Sequence, residues 1–224
     1  MKRDRDLNVG KEIWNELEKV HQFGYSYSTI FSDFLDSVLY ALLSLTDNIS
    51  EKDFIDRLKE NKLKGKYEDS YLEVVGRYKE NQSKDIGSRP CNYFGKAWWK
   101  LQGDTEDVLG EIYMAKISSG EHGQFFTPNH VTNMMAEMAG IGEGETVNDP
   151  ACGSGRFLIS AAKVNKDALL MGIDLSLVCV KMAVINMWLH DLNADIYHGD
   201  SLKQEMYRVY RIRKGGFIYE NSIS

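Results

Sequence analysis

Cysteine is scarce in this sequence. Cys91, Cys152 and Cys179 are the only three in 224 residues, far apart and with no CxxC pair. That excludes a disulfide framework and a cysteine-based zinc site. His122 and His130 have no acidic or cysteine partner at ligand spacing, so no metal is expected. Long apolar runs are missing too. The longest lies near "VLYALLSL", far short of the roughly 20 residues that a membrane span needs. The opening "MKRDRDLNVGKEIWNEL" has no apolar stretch of the signal-peptide kind. A soluble, cytoplasmic protein without a membrane partner is the expectation. Positive charge is not in excess, the formal net charge being −6, so any nucleic-acid contact needs a local basic surface or a partner. What is present is an ordinary globular balance, 43% hydrophobic and 27% charged, in a chain long enough for one or two domains of roughly 100–200 residues.

The first half reads as helix. Ile13, Trp14, Leu17 and Val20 recur at helical spacing before a break at Gly24. Ile30, Phe31, Phe34, Leu35, Val38, Leu39, Leu42 and Leu45 make one wide apolar stripe. "SEKD" at 50–53 resembles a capping box opening a third helix through Phe54, Ile55 and Leu58. A fourth is expected over 67–79, with Leu72, Val75 and Tyr78 on one side, then a polar loop at 81–90. Two more follow, near 93–101 and 106–117. The expectation is an all-helical domain over 1–117, built by packing rather than for catalysis.

Composition changes after "SSGEHG" (118–123). Thr127 as N-cap and Pro128 at the first helical position open a helix whose Val131, Met134, Met135 and Met138 share one face, taken here as core filler. From residue 145 the pattern alternates: a strand at "TVND", a helix over 156–164, a strand at "ALLMGID" (168–174), a helix over 175–190 and a strand at "ADIYHGD" (194–200). Such alternation implies right-handed crossovers in an open parallel sheet, whose ligands bind at the carboxyl ends of the strands. The strand ends carry Asp149, Asp174 and Asp200.

The stretch "NDPACGSGRFLIS" (148–160) is the polar turn after the first strand. It lacks the Lys-Ser/Thr of a Walker loop, and Leu158 stands where a dinucleotide fingerprint has its third glycine. Asp149 would also repel a pyrophosphate. A cationic ligand fits better. S-adenosylmethionine carries a sulfonium and an ammonium that suit carboxylates, and a ribose diol that Asp174 could bridge. Asp200 could accept from the adenine amine, with Gly153 and Gly155 letting the backbone approach. A generic βα turn is the plainer alternative.

"GQFFTP" (123–128), "DPACGSGRFL" (149–158), "GIDLS" (172–176) and "HGDS" (198–201) resemble the adenine-N6 DNA methyltransferases. They look most like modification subunits of type I restriction–modification systems, or small phage or mobile-element relatives. The likeness covers roughly 105–201. It implies a Rossmann-like, S-adenosylmethionine-dependent methyltransferase domain over 118–224; with 24 residues after Asp200, its sheet is expected to be truncated after the third strand. It places Thr127 and Pro128 by the methionine end of the cofactor. Asp149, Ala151, Gly153, Ser154 and Gly155 then surround the methionine and ribose, with Asp174 on the ribose hydroxyls. Leu175 lies against the adenine ring and Asp200 on its amine.

The family's reaction needs one more motif, [ND]PP[FY]. Adenine N6 is a poor nucleophile, so the enzyme flips the base out, accepts hydrogen bonds from its amine and stacks it on an aromatic ring. Pro90, Pro128 and Pro150 are the only prolines, and none belongs to such a motif. No catalytic residue can be named from the sequence. Three functions remain open: a DNA adenine methyltransferase completed by an unrecognised motif or a partner chain, a non-catalytic cofactor-binding or regulatory module, and a methyltransferase acting on RNA or a small molecule. DNA would be reached through a partner or specificity subunit. The basic, tyrosine-bearing stretch 203–214 suits either a phosphate backbone or a solvated edge strand. "MYRVYRI" and "GFIYENSI" could form a hairpin, leaving the first strand near an open edge. A homo-oligomer or a second protein would then complete the sheet.

Overall fold

The structure is a computed structural model that describes residues 2–46, 67–78, 90–102, 106–118 and 126–223. Contacts divide the chain into two compact units, residues 12–100 and residues 1–11 with 101–224.

The unit of residues 12–100 is helical, holding the second half of α1 (Lys2–His21), α2 (Tyr27–Thr46), α3 (Glu68–Gly76) and most of α4 (Pro90–Leu101). Ile13, Trp14, Leu17 and Val20 are buried on α1, and the stripe from Ile30 to Leu42 is buried on α2. Leu43, not expected, joins it. The side chain of Leu45, the helix expected from residue 50 and the loop at 81–89 lie outside the described residues. On α3 the expected face of Leu72, Val75 and Tyr78 holds in part, with Tyr78 buried and Val75 half-buried. Val74 is buried and so are the flanking Tyr67 and Tyr78, while Leu72 points outward. The reason lies in Asp33 of α2, which is buried and accepts from Tyr78 Oη at 2.7 Å and Arg77 Nη1 at 2.6 Å. That fixed partner decides which side of α3 faces α2. Trp99 of α4 is 76% exposed, its neighbour Trp98 being partly covered.

The other unit is an α/β sheet packed with helices. It contains α5 (Val108–Ile112), a π-turn (Tyr113–Ile117), α6 (Asn129–Ala139), β1 (Thr146–Asp149), α7 (Arg156–Val164), β2 (Leu169–Asp174), α8 (Leu177–Leu189), β3 (Ala194–Asp200), β4 (Glu205–Arg213) and β5 (Phe217–Ser222). The strands lie in sequence order, β1 to β5. β1, β2 and β3 are parallel, linked by α7 and α8, and the hairpin β4–β5 continues the sheet antiparallel. β1 forms one edge. Leu170 and Ile196 point into the core from neighbouring strands, and α8 is buried at every position from Cys179 to Met187. A helix buried so continuously must have protein on all sides, and two polar residues, Lys181 and Asn186, are buried with it.

Two expectations for α6 need correcting. The helix begins at Asn129, with Pro128 itself at the cap position and no side-chain cap bond, so Thr127 is one residue outside it. The methionine stripe is not core filler. Met134, Met135 and Met138 are exposed, while Thr132 and Ala136 face α7, where Ser160 Oγ donates to Thr132 Oγ1 at 2.9 Å. Period alone marks a helix face; a buried hydroxyl pair decided which face turned inward.

Gly172 in β2 shows how closely the turn after β1 packs on its neighbour. A Cβ there would lie 2.9 Å from Cys152 Sγ and 3.0 Å from both Leu158 Cδ1 and Ile196 Cδ1. Gly172→Val should therefore destabilise the unit by about 1–3 kcal/mol, the scale of core overpacking. Urea unfolding would show this as a lower midpoint at unchanged slope.

Candidate cofactor site

The carboxyl ends of β1 and β2 are staggered. Asp149 pairs with Gly172, so Asp174 stands two residues further along its own strand. Between these ends sits the turn 150–155, and two bonds fasten it to β2. Cys152 N donates to Ile173 O at 2.9 Å, and Gly153 N donates to Asp174 Oδ2 at 2.8 Å. The other Asp174 oxygen accepts from Ser176 N at 2.8 Å, just before α8. Gly153 and Gly155 carry φ of +54° and +84°, the left-handed region where a side chain is disfavoured. At Gly153 a Cβ would also come within 2.9 Å of the Phe126 ring.

Asp149 Oδ1 accepts from Ala151 N at 3.1 Å. Burial pushes the Asp149 carboxyl up from the ordinary carboxylate range; the Ala151 N–H opposes this and the Asp174 charge adds to it. Burial likewise pushes the Cys152 thiol well up and Cys179 to about 12, so neither is a thiolate at neutral pH. Asp149, Ala151, Gly153 and Ser154 line one pocket with Phe126, Thr127 and Arg156. Thr127 is therefore brought to the turn, while Pro128 is exposed beside it.

Leu175 is 63% exposed at the end of β2, and its carbonyl is 3.2 Å from His198 Nε2 of β3. Asp200 is occupied in its own turn, accepting from Leu202 N at 3.0 Å and Lys203 N at 3.1 Å. The Lys203 N–H, then that of Leu202, and the Lys203 ammonium hold its carboxyl below the usual range. It shares no hydrogen bond with the Asp149–Asp174 group.

The reading of residues as sequence missed what stands behind the pocket. Asp107, the N-cap of α5, is buried and accepts from Gly110 N at 2.9 Å. It also accepts from Ser154 Oγ at 2.5 Å, Arg156 Nε at 2.8 Å and Asn186 Nδ2 at 2.8 Å. Burial raises its carboxyl; the Arg156 charge and the hydrogen bonds from Ser154 and Gly110 oppose that. All four partners donate, which suits an ionised carboxylate. A cap signal was available in Asp107 and Gly110, three residues apart, but nothing local tells of Ser154, Arg156 and Asn186.

The basic stretch on β4 is neutralised where it stands. Arg208 pairs with Glu220 at 2.6 Å, Arg213 with Asp195 at 2.8 Å and Lys214 with Asp167 at 2.5 Å, while Arg211 is 3.8 Å from Asp195. A phosphate backbone would have to displace those carboxylates; β4 is not the edge strand expected either, since it pairs with β3 on one side and β5 on the other.

Comparison with known proteins places this chain in a family. A model of "N-6 DNA Methylase" matches residues 104–218, just over half of the chain. The type I restriction enzyme MjaVIII methylase subunit of Methanocaldococcus jannaschii is 30% identical over 134 residues, 55% of this chain and 23% of that protein. The type II restriction enzyme and methyltransferase RM.BcgI of Heyndrickxia coagulans is 43% identical over 68 residues, 28% of this chain and 11% of that protein. The match thus spans less than a quarter of either relative's length. A crystal structure of a type I restriction-modification system methyltransferase subunit from Streptococcus thermophilus aligns with TM-score 0.49 and 15% identity, covering 89% of this chain and 59% of that one. With the family model spanning Asp107, the glycine turn and the strands β1 to β4, the chain belongs to the N-6 DNA methylase family.

Proposed function

We propose that the chain binds S-adenosylmethionine at the ends of β1 and β2 as the cofactor-binding part of an adenine-N6 DNA methyltransferase of the type I modification-subunit kind. The observation that carries this is the pairing of Asp149 and Asp174 around a turn with two left-handed glycines. Two neighbouring carboxylates attract a cation, and repel the phosphates that other glycine-rich turns hold. Arg156 adds a second fit: its Nη2 is buried without a hydrogen-bond partner, and the residue lines the same pocket. A carboxylate such as that of the methionyl tail would satisfy it. Bound there, S-adenosylmethionine supplies an electrophilic methyl on positively charged sulfur.

The residues divide the work. Thr127, Ala151, Ser154 and Arg156 hold the tail; Asp149 faces the positive charge; Asp174 and the exposed Leu175 take ribose and adenine. Asp200 needs to exchange a loop N–H for the adenine amine. DNA is reached through a partner or specificity subunit, since the basic residues of β4 are paired within the sheet. Base activation needs a clamp of the [ND]PP[FY] kind, which this sequence does not carry. A cofactor-binding module without transfer activity of its own is the second reading.

Asp174→Ala should weaken S-adenosylmethionine binding by about 1.5–3 kcal/mol, the scale for hydrogen bonds to a charged group. An unchanged dissociation constant by calorimetry would show that the site is elsewhere. Affinity should also depend on pH. A cationic ligand favours ionised Asp149, whose carboxyl is raised in the free site, so binding weakens as pH falls through that raised pKa. Asp149→Asn should remove this acid limb from the affinity–pH profile. The chain by itself should transfer no labelled methyl to mixed DNA. Incorporation into adenine that is lost in Asp149→Ala would show a base-activating group outside any such motif.

A further inference from the structure

We propose that Asp107 is the positioning residue of this pocket, its buried carboxylate holding the Ser154 turn and, through Arg156, the Thr127 backbone. The inference rests on the cofactor reading above and concerns how the methionyl side of the site is kept in shape. Asp107 does not itself line the pocket. Two of its donors do: Ser154 through Oγ and Arg156 through Nε. Arg156 then reaches across with Nη1 to Thr127 O at 3.2 Å, which ties the segment before α6 to the turn after β1.

A second strut doubles the first. Asn186 of α8 is fully buried and donates from one nitrogen to both Asp107 Oδ1 and Ser154 O, each at 2.8 Å. The carboxylate and the turn are thereby referred to the same helix. Room for the arrangement comes from Gly110, where a Cβ would stand 2.2 Å from Asp107 Oδ2 and 2.5 Å from Ser154 Oγ. The same carboxylate caps α5, and the π-turn that continues α5 carries Tyr113. Tyr113 stacks on Phe126 with centroids 5.7 Å apart at 18°, and Phe126 lies over Gly153. Two routes from Asp107 therefore converge on one wall of the pocket.

A buried ion pair is weak as a source of stability, since apolar residues of similar volume often do as well. What apolar residues cannot do is fix three polar elements at hydrogen-bond angles. Displacements near 1 Å at such walls are enough to cost about a hundredfold in function.

The test uses the full chain and two ligands that share the nucleoside: S-adenosylmethionine, and 5′-methylthioadenosine, which lacks the methionyl tail. Asp107→Asn should weaken S-adenosylmethionine at least tenfold and methylthioadenosine less than twofold, with affinities referred to the folded fraction measured by circular dichroism. Ser154→Ala, which removes only the hydroxyl that the carboxylate holds, should give a smaller loss with the same selectivity and serves if Asp107→Asn does not fold. Equal losses for both ligands, or none for either, would overturn the positioning role. Failure of the unaltered chain to bind S-adenosylmethionine would instead overturn the cofactor reading, and this inference with it.

Discussion

Two hydrogen bonds from the turn after β1 to the end of β2 determine most of what this molecule can do. Cys152 N to Ile173 O and Gly153 N to Asp174 Oδ2 hold the turn flat against the neighbouring strand. With the turn in that place Asp149 comes near Asp174, Cys152 packs on Gly172, and α7 starts at an angle that sets Ser160 against Thr132 of α6. Left-handed glycines permit the path; the hydrogen bonds select it. Each carboxylate oxygen of Asp174 accepts from one backbone N–H, Oδ2 from Gly153 and Oδ1 from Ser176.

Electrostatics in the sheet unit are arranged by depth. At the surface, β4 and β5 pair arginines with carboxylates across the hairpin and to Asp195, contacts worth little individually in water. In the interior, Asp107 has four donors and one countercharge, so its carboxylate is stabilised without solvent. Between them lies the pair Asp149–Asp174, half-buried and with no cation beside it among the described residues. Of this pair, Asp149 lines the pocket beside the glycine turn.

The sheet was legible in the sequence because β/α alternation, a glycine turn and the "RKGG" hairpin each leave a local mark. The strands β1 to β3 and the hairpin fall where these marks put them. Helix orientation was less legible. The methionines of α6 share a face in period, but Thr132 and Ala136 pack inward because Ser160 offers a hydroxyl partner; α3 rotates toward Asp33 for a similar reason. Asp107 was invisible as part of the site because its partners are 47, 49 and 79 residues away. Polar contacts formed at that separation leave no periodic trace.

Strand order has a kinetic consequence. Because β1 to β5 lie side by side in sequence order, β3, β4 and β5 form a meander of nearest neighbours, closed by short turns. Each parallel pair, by contrast, must wait for a whole helical crossover to close. Folding is then expected to run from the hairpin toward β1, and the turn after β1, which needs β2 in place for both of its anchoring bonds, is ordered late. The pocket is then expected to belong to the part of the sheet that forms last and opens first, where a ligand would act chiefly by slowing that first opening step.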